Sequence, residues 1–369
     1  MNARVLILGG QGRIGSSVAR DLTQHASAEI TVTGRNGSTG RSGDFRYLSL
    51  DLGDRDKLRT AIAESDLVVH CAGPFHYRDT AVLEHCIAER VNYIDVSDNR
   101  SFTRRILERC EAAKEAGVTA IVNSGIFPGI SNSLVRQGVE QLDEADTIHL
   151  SYVVGGSGGA GLTVMRTTFL GLQKPFEVWL DGQWQTVKPY SDRETIEFPK
   201  PYGKTGVYWF DMPECFTLAE SFPVKTVITK FGTAPDFYNH LTWSVAHWWP
   251  ASWLQNPNVI EFLSHVSYQM TEVTDNFSGI GVAVRSHVSG KKNGKPAQFC
   301  STVVHDNTAV IAGIGTGTIA QLMLENRLQK PGVLPVEEVL PTALFEEMMG
   351  DRNIEIVKSG LSPSGEVRH

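Results

Sequence analysis

The residues best suited to chemistry sit near the start of the chain. Gly10-Gln11-Gly12-Arg13-Ile14-Gly15 follows directly on the apolar run Val5-Leu6-Ile7-Leu8. A strand that enters a G-x-G-x-x-G turn and leaves as a helix can seat a pyrophosphate. The first glycine makes the tight turn, the second lets the backbone approach the phosphates, and the third lets helix and strand pack closely. The helix N-terminus adds N–H groups and a partial positive charge. About twenty residues further on, an NAD-binding chain places an acid for the ribose 2′-hydroxyl, but here the segment reads Thr33-Gly34-Arg35-Asn36. A guanidinium suits a 2′-phosphate, through charge-assisted hydrogen bonds and stacking on adenine. NADP(H) is therefore expected over NAD(H), with Ser38 and Arg41 as further phosphate partners and Asn36 beside them. Asp51, after the next strand, either contacts the adenine or caps a helix.

These groups need a scaffold, and the pattern from Val5 to Ser124 supplies one. Short apolar runs at 4–8, 29–33, 46–50, 66–71, 92–96 and 118–123 alternate with helix-period segments. Ile14, Val18, Ala19 and Leu22 share one helical face, as do Val82, Leu83, Cys86 and Ile87, and then Phe102, Ile106, Cys110 and Ala113. Parallel strands joined by helical crossovers follow, a doubly wound α/β sheet of Rossmann type. After Pro128 the grammar becomes that of hairpins. Phe176 to Leu180 and Gln183 to Val187 flank Asp181-Gly182, and Gly281 to Ser289 and Ala297 to His305 flank a polar turn at 291–295. An inserted α+β domain with a mixed or antiparallel sheet is expected over about 131–305. The Rossmann domain would comprise 1–130 and, through helices at 308–325 and 335–349, about 306–369.

At 369 residues the chain is long for one core, which agrees with two domains. A net charge of -7 without a basic stripe argues against nucleic acid. Cys71, Cys86, Cys110, Cys215 and Cys300 form an odd set with no C-x-x-C pair, so neither a disulfide framework nor a metal site is expected. The early strand leaves little room for a leader, and a cytoplasmic location is expected.

Cys71-Ala72-Gly73-Pro74-Phe75 stands at the end of the fourth run, with Asn92-Tyr93-Ile94-Asp95-Val96, Pro128-Gly129-Ile130-Ser131-Asn132 and Pro331-Gly332-Val333 beyond it. With the glycine loop, this set resembles the saccharopine dehydrogenase-like family, which includes saccharopine reductases and carboxynorspermidine dehydrogenase-type enzymes. The resemblance implies an NADP-type Rossmann domain, an inserted domain that often forms a homodimer interface, and cofactor contacts at Ala72, Gly73, Pro74 and Phe75. It also marks departures. Phe127 and Ser131 stand where lysine-pathway members carry acids, and Val153 stands where they carry a cysteine after Ser-Tyr.

An oxidoreductase acting on a C=N or C=C bond needs a proton donor near the reacting atom. His76 and Tyr77 adjoin the expected nicotinamide pocket, and histidine titrates near neutrality; otherwise one caps the helix entering at Asp79 and the other packs. Asp95 orients a ribose or a donor, or caps a loop. Tyr152 is a further catalytic candidate, placed to line the substrate cavity, and it leads into Gly155-Gly156-Ser157-Gly158-Gly159, a flexible lid, an anion nest or a plain surface loop. From Phe237 to Ile260 no charged residue occurs, while Trp243, Trp248, Trp249 and Trp253 crowd around Pro250. A buried helical hairpin is the expected reading, with a lipophilic tunnel for an apolar substrate or a peripheral membrane contact as the alternatives. Loss of the acids and cysteine raises a rival of another class, a non-catalytic NADP-binding or lipid-associated scaffold.

Overall fold

The computed structural model describes residues 2–35, 40–159, 161–361 and 367–368. The chain builds β1 (Ala3–Leu8), α1 (Arg13–His25), β2 (Ala28–Gly34), β3 (Gly40–Ser42), β4 (Phe45–Ser49), α2 (Arg55–Ala63), β5 (Leu67–His70), α3 (Ala81–Glu89), β6 (Asn92–Asp95), α4 (Arg100–Leu107), α5 (Cys110–Ala116) and β7 (Thr119–Val122). It continues through α6 (Ile130–Glu140), β8 (Glu144–Gly155), α7 (Leu162–Leu170), β9 (Phe176–Leu180), β10 (Gln183–Val187), β11 (Glu194–Phe198), β12 (Gly203–Trp209), α8 (Glu214–Ser221) and β13 (Thr226–Ala234). The last part holds α9 (Phe237–Trp248), α10 (Ala251–Leu254), α11 (Pro257–Ser278), β14 (Gly281–Lys292), β15 (Lys295–His305), α12 (Thr308–Leu324), β16 (Gly332–Pro335), α13 (Val336–Val339), α14 (Thr342–Asp351), β17 (Ile356–Leu361) and β18 (Val367–Arg368). Two compact units result, 1–130 with 309–341, and 131–308 with 342–369.

The first unit is a sheet ordered β16-β7-β6-β5-β1-β2-β4-β3. β1 lies parallel to both neighbours, with Ile7 opposite Val32 and Val69. Val5 to Leu8 are all buried, as strands covered on both faces must be. α1 buries Val18, Ala19 and Leu22, and α3 and α4 bury Leu83, Cys86, Phe102 and Ile106, so each amphipathic stripe faces the sheet. Strand order grows outward from β1 in both directions, the doubly wound arrangement. Two strands extend what the apolar runs indicated. β3 pairs antiparallel with β4 in place of a crossover helix, and β16 adds a parallel edge beside β7. The uncharged α12 is anchored by Thr316, whose hydroxyl donates to the Ser124 carbonyl at 3.1 Å.

The second unit is a mixed sheet ordered β11-β12-β13-β8-β14-β15-β17-β18. β13 and β8 run parallel, and β14 pairs antiparallel with β8 and β15. The β9–β10 hairpin turns at Asp181 and Gly182, with φ of 51° and 76°, as a two-residue loop between twisted strands requires. The β14–β15 turn is tighter than expected, closing at Asn293-Gly294.

Two expectations are corrected at the end of the chain. The helix expected over 335–349 is two helices, parted at Leu340-Pro341 because proline disfavours helical backbone at the residue before it. Residues 342–369, expected with the Rossmann domain, belong to the second unit. β17 pairs with the free edge of β15, Thr302 opposite Val357, and satisfies backbone groups that no helix could reach.

The Trp-rich segment is not a buried hairpin. Trp248 is 74% exposed, and Phe237, Trp253, Phe262 and Val273 are each more than half exposed. α11 buries Ile260, Leu263, Ser264 and Thr271 on one side and exposes Phe262, Val266, Met270 and Val273 on another. Among the described residues, no helix is long and apolar enough to cross a membrane.

Candidate functional site

The glycine turn is built by close backbone approach. Gly9, one residue earlier than the sequence reading placed the tight turn, takes φ +73°, the left-handed region that penalises side chains. A Cβ there would lie 2.8 Å from Ala72 Cα, so the turns after β1 and β5 touch through bare backbone. The end of β2 braces the loop. Gly9 N–H donates to Thr33 Oγ1 at 3.1 Å, and Gln11 N–H to the Thr33 carbonyl at 3.2 Å. A Cβ on Gly15 would stand 2.5 Å from the Gly9 carbonyl oxygen, which is why α1 can lean on the turn only with glycine there. Gly12 is the N-cap of α1; no side chain caps the helix and its first turn holds no acid. The Ile14 and Gly15 N–H groups have no hydrogen-bond partner among the described residues. A narrow turn floored by backbone, with free amides and no competing carboxylate, fits a dinucleotide pyrophosphate.

Arg35 stands exposed at the end of β2. Asn36 and Ser38 lie outside the described residues, as does the side chain of Arg41. Asp51 is exposed and its Oδ1 accepts the Gly53 N–H at 2.8 Å. It does not cap α2; Asp54 does, accepting from Lys57 N–H at 3.2 Å.

After β5, Ala72, Gly73 and Pro74 are half-buried, while the Phe75 ring turns into the core, 5.0 Å from both the His70 and Phe102 rings. His76 and Tyr77 share a short 3-10 turn, both exposed, their rings edge-on at 5.0 Å. Thr80 is the N-cap of α3 without a side-chain cap of its own, and Asp79 Oδ1 accepts the Ala81 N–H at 3.2 Å. One residue went unnoticed in the sequence. Arg78 donates from Nε to the Ala72 carbonyl at 2.7 Å and from Nη2 to the Gly73 carbonyl at 3.3 Å. Burial and the nearby Arg35 charge lower its pKa, against the pull of Asp51 and Asp79. The signal was available: a Gly-Pro turn bares carbonyls at a strand end, and a guanidinium a few residues later can bridge two of them.

Asp95 lies fully buried at the end of β6 and takes the loop-capping role. Its Oδ1 accepts from Ser97 N–H at 2.9 Å and Asn123 N–H at 3.0 Å. Burial raises its pKa to about 6, against the downward pull of those two amides. Nearby, Tyr93 and His70 share a hydrogen bond of 3.2 Å, and burial lowers the His70 pKa to about 3, so the ring stays neutral.

Comparison with known proteins agrees with this geometry. Residues 5–121 match the family model described as the saccharopine dehydrogenase NADP binding domain. Carboxynorspermidine synthase of Vibrio cholerae serotype O1 is 24% identical over 352 residues, covering 86% of this chain and 84% of that protein. Mitochondrial alpha-aminoadipic semialdehyde synthase of Bos taurus is 28% identical over 155 residues, 41% of this chain and 16% of that protein. The apo saccharopine dehydrogenase (L-Glu forming) from Saccharomyces cerevisiae superposes with a TM-score of 0.72 at 14% identity, covering 98% of this chain and 100% of that one. The chain is saccharopine dehydrogenase-like. It is an NAD(P)-dependent oxidoreductase of that type.

In the second unit of this saccharopine dehydrogenase-like chain, Tyr152 is fully buried, its ring 5.7 Å from that of Phe231. The loop Gly155 to Gly159 is neither an open lid nor an empty nest. Asp275 accepts from Ser157 N–H at 2.7 Å and from its hydroxyl at 2.5 Å, so an internal carboxylate holds the place an anion would take. Arg166 pairs with Glu261, Arg193 with Asp236, and Lys230 with Asp192 and Glu194. Ser131, which stands where the lysine-pathway members are expected to carry an acid, donates from its hydroxyl to the buried Glu214 at 3.1 Å, so a carboxylate from α8 reaches that point.

A groove of about 540 Å³ runs along α2 across β1, β2 and β4, lined by Arg4, Leu6, Thr31, Leu48, Thr60 and Glu64 among others. None of the glycine turn, Arg35 or the Ala72–Pro74 segment lines it, and ligands in open parallel sheets bind at the carboxyl ends of the strands. The glycine turn, not the groove, is the candidate cofactor site.

Proposed function

We propose that this chain is an NADP-dependent oxidoreductase transferring hydride to or from the C=N bond of a small substrate. The observation that carries the reading is the backbone-floored glycine turn joined to Arg35, at the strand end where an NAD site would hold an acid. When bound, the nicotinamide supplies or accepts the hydride. In this reading the Ile14 and Gly15 amides seat the pyrophosphate, Arg35 meets the 2′-phosphate, and Ala72 to Pro74 lie along the ribose. His76 or Tyr77, the exposed donors next to that turn, moves a proton to the atom that becomes basic. Asp95 holds the strand-end turns in place from below. A C=N bond is favoured over C=C because carboxynorspermidine, named in the relative that spans most of this chain, is a carboxylated polyamine. Secondary amines of that kind are what C=N reduction yields.

The test is a screen of amine–carbonyl pairs and enoyl compounds for NADPH oxidation. Turnover with the former supports the reading, and turnover with enoyl compounds alone replaces C=N by C=C. Firm NADPH binding without turnover in either class would mean a non-catalytic scaffold. If His76 or Tyr77 donates the proton, His76→Gln or Tyr77→Phe lowers kcat roughly 100- to 10,000-fold with cofactor affinity kept.

We also infer that a second copy of the chain covers the exposed face of α9 to α11. Residues 237–260 carry no Asp, Glu, Lys or Arg, and with exposed Trp, Phe and Met the face resembles an interface core, Glu272 of α11 being an exposed charge beside it. Its large exposed side chains present several hundred Å² of apolar surface, approaching the ~800 Å² each partner buries in a standard interface. A bilayer surface is the alternative occupant, but 237–260 offers no Lys or Arg to anionic lipid.

A further inference from the structure

We infer that Arg78 and Arg35 form a two-guanidinium clamp for the adenosine 2′-phosphate, so that Arg78 is a second determinant of NADP over NAD. The inference rests on the cofactor reading above and goes beyond it by assigning a residue from another loop. Arg78 lies next to the turn it would serve. The Ala72 carbonyl it holds belongs to the residue packed against Gly9. Its own carbonyl is held by Arg105 Nη2 at 2.9 Å, so both ends of the residue are fixed.

The guanidinium is not fully engaged. Two hydrogen bonds to carbonyls use Nε–H and one Nη2–H; the remaining three N–H groups have no partner among the described residues. Nor does it form an ion pair among the described residues. Of the two nearby acids, Asp79 is taken by Arg55, and Asp51 turns one oxygen back to the Gly53 amide. The Ala72 backbone held by Arg78 packs on Gly9, whose N–H donates to Thr33, two residues before Arg35, so both arginines stand at the same sheet edge, and neither has an ion-pair partner among the described residues. Two guanidinium groups at one sheet edge, Arg35 exposed and Arg78 half-buried with its fork already oriented, repel each other when alone and are favourable around a dianion. The 2′-phosphate is the one group by which NADP differs from NAD, and the end of β2 is where it lies. Arg78 thus serves twice: it ties down the Gly-Pro turn through carbonyls and faces the phosphate with the donors left over.

The experiment titrates the full chain with NADPH and NADH, and with adenosine 2′-monophosphate and adenosine 5′-monophosphate as truncated probes, following binding by calorimetry. Arg78→Gln should weaken NADPH roughly 10- to 100-fold while NADH changes less than about threefold. Arg78→Lys, keeping the charge but not the fork, should recover part of the loss. Adenosine 2′-monophosphate should follow NADPH, and its binding should weaken more steeply with salt in wild type than in Arg78→Gln. Equal losses for NADPH and NADH would reduce Arg78 to a brace for the turn and overturn the clamp. So would an Arg78→Gln variant that keeps its NADPH affinity while Arg35→Gln loses it, a result that leaves the cofactor reading intact. Wild-type protein that binds neither nucleotide overturns that reading and the clamp with it.

Discussion

Asp95→Asn tests whether burial sets the proton affinity of the acid at the end of β6, and its effect can be worked from the site. The carboxyl is fully buried, and its pKa is raised from 3.8 to about 6. A two-unit rise in the native state corresponds to roughly 3 kcal/mol. The native state holds the proton more tightly than the unfolded chain between those values, so this stability is present below pH about 4 and lost as the pH climbs through about 6. His70 acts in the opposite sense. Lowered from 6.5 to about 3, it contributes stability above 6.5 that is lost as the pH falls through about 3. Wild type alone therefore mixes two slopes, but the variant keeps His70, and the difference between the proteins isolates Asp95. Asparagine still offers Oδ1 to the Ser97 and Asn123 amides, and its buried NH₂ adds a nearly pH-independent offset of about 1–3 kcal/mol. All seven tryptophans lie in the second unit, so indole fluorescence is blind to this site. Hydrogen exchange at the Ser97 and Asn123 amides reads it directly. From pH 4 to pH 8 the opening free energy of wild type should fall relative to Asp95→Asn by about 3 kcal/mol. A flat difference, or one rising with pH, would refute the burial argument.

Gly15→Ala drives a methyl into the Gly9 carbonyl; it should abolish NADPH binding in calorimetry and destabilise the first unit by about 1–3 kcal/mol. The paired substitution Trp248→Glu and Trp253→Glu should leave secondary structure unchanged and convert a dimer to a monomer in sedimentation. Sedimentation of wild type as a monomer that co-sediments with zwitterionic vesicles would assign the face to lipid instead. Asp275→Ala removes the acceptor of Ser157, so the Ser157 amide should lose about 1–3 kcal/mol of exchange protection while the first unit is unaffected.

The Rossmann half was legible because its signals are local. A buried parallel strand is an apolar run, a helix on it shows one stripe, and the glycine turn occupies six adjacent residues, so each can be read within a short window. β3 escaped because a three-residue edge strand has no periodicity to detect, and β16 because Gly332 to Pro335 is defined only by its distant partner β7. The assignment of 342–369 failed for the same reason: β17 is placed by the open edge of β15, more than fifty residues away, and not by its own pattern. The Trp-rich segment failed in a different way. Lack of charge was read as burial, yet the same composition serves a surface that another molecule covers, and sequence does not record which molecule excludes the water.

The substrate end shows where local reading stops. Arg166, Arg193 and Lys230 each suggest a carboxylate-bearing substrate if they stand unpaired. Their partners lie far along the chain: Glu261 is 95 residues from Arg166, Asp236 is 43 from Arg193, and Asp192 is 38 from Lys230. No window around the cations reveals this. Once paired, they bind a substrate carboxylate only by exchanging an internal acid for it, which returns little net energy while that acid remains ionised. Lys230 is the strongest case, since it is buried, touches two acids and lies 5.3 Å from the Trp209 ring centroid. Its ammonium is already satisfied, and it reads as part of the unit's internal polar structure. The same logic applies to the glycine nest, whose anion is Asp275. In the second unit the apparent anion sites are already filled by the chain's own carboxylates, whereas in the first the turn amides and the Arg35–Arg78 pair are not. That asymmetry is why the cofactor can be argued to a single phosphate while the substrate is argued only to a bond.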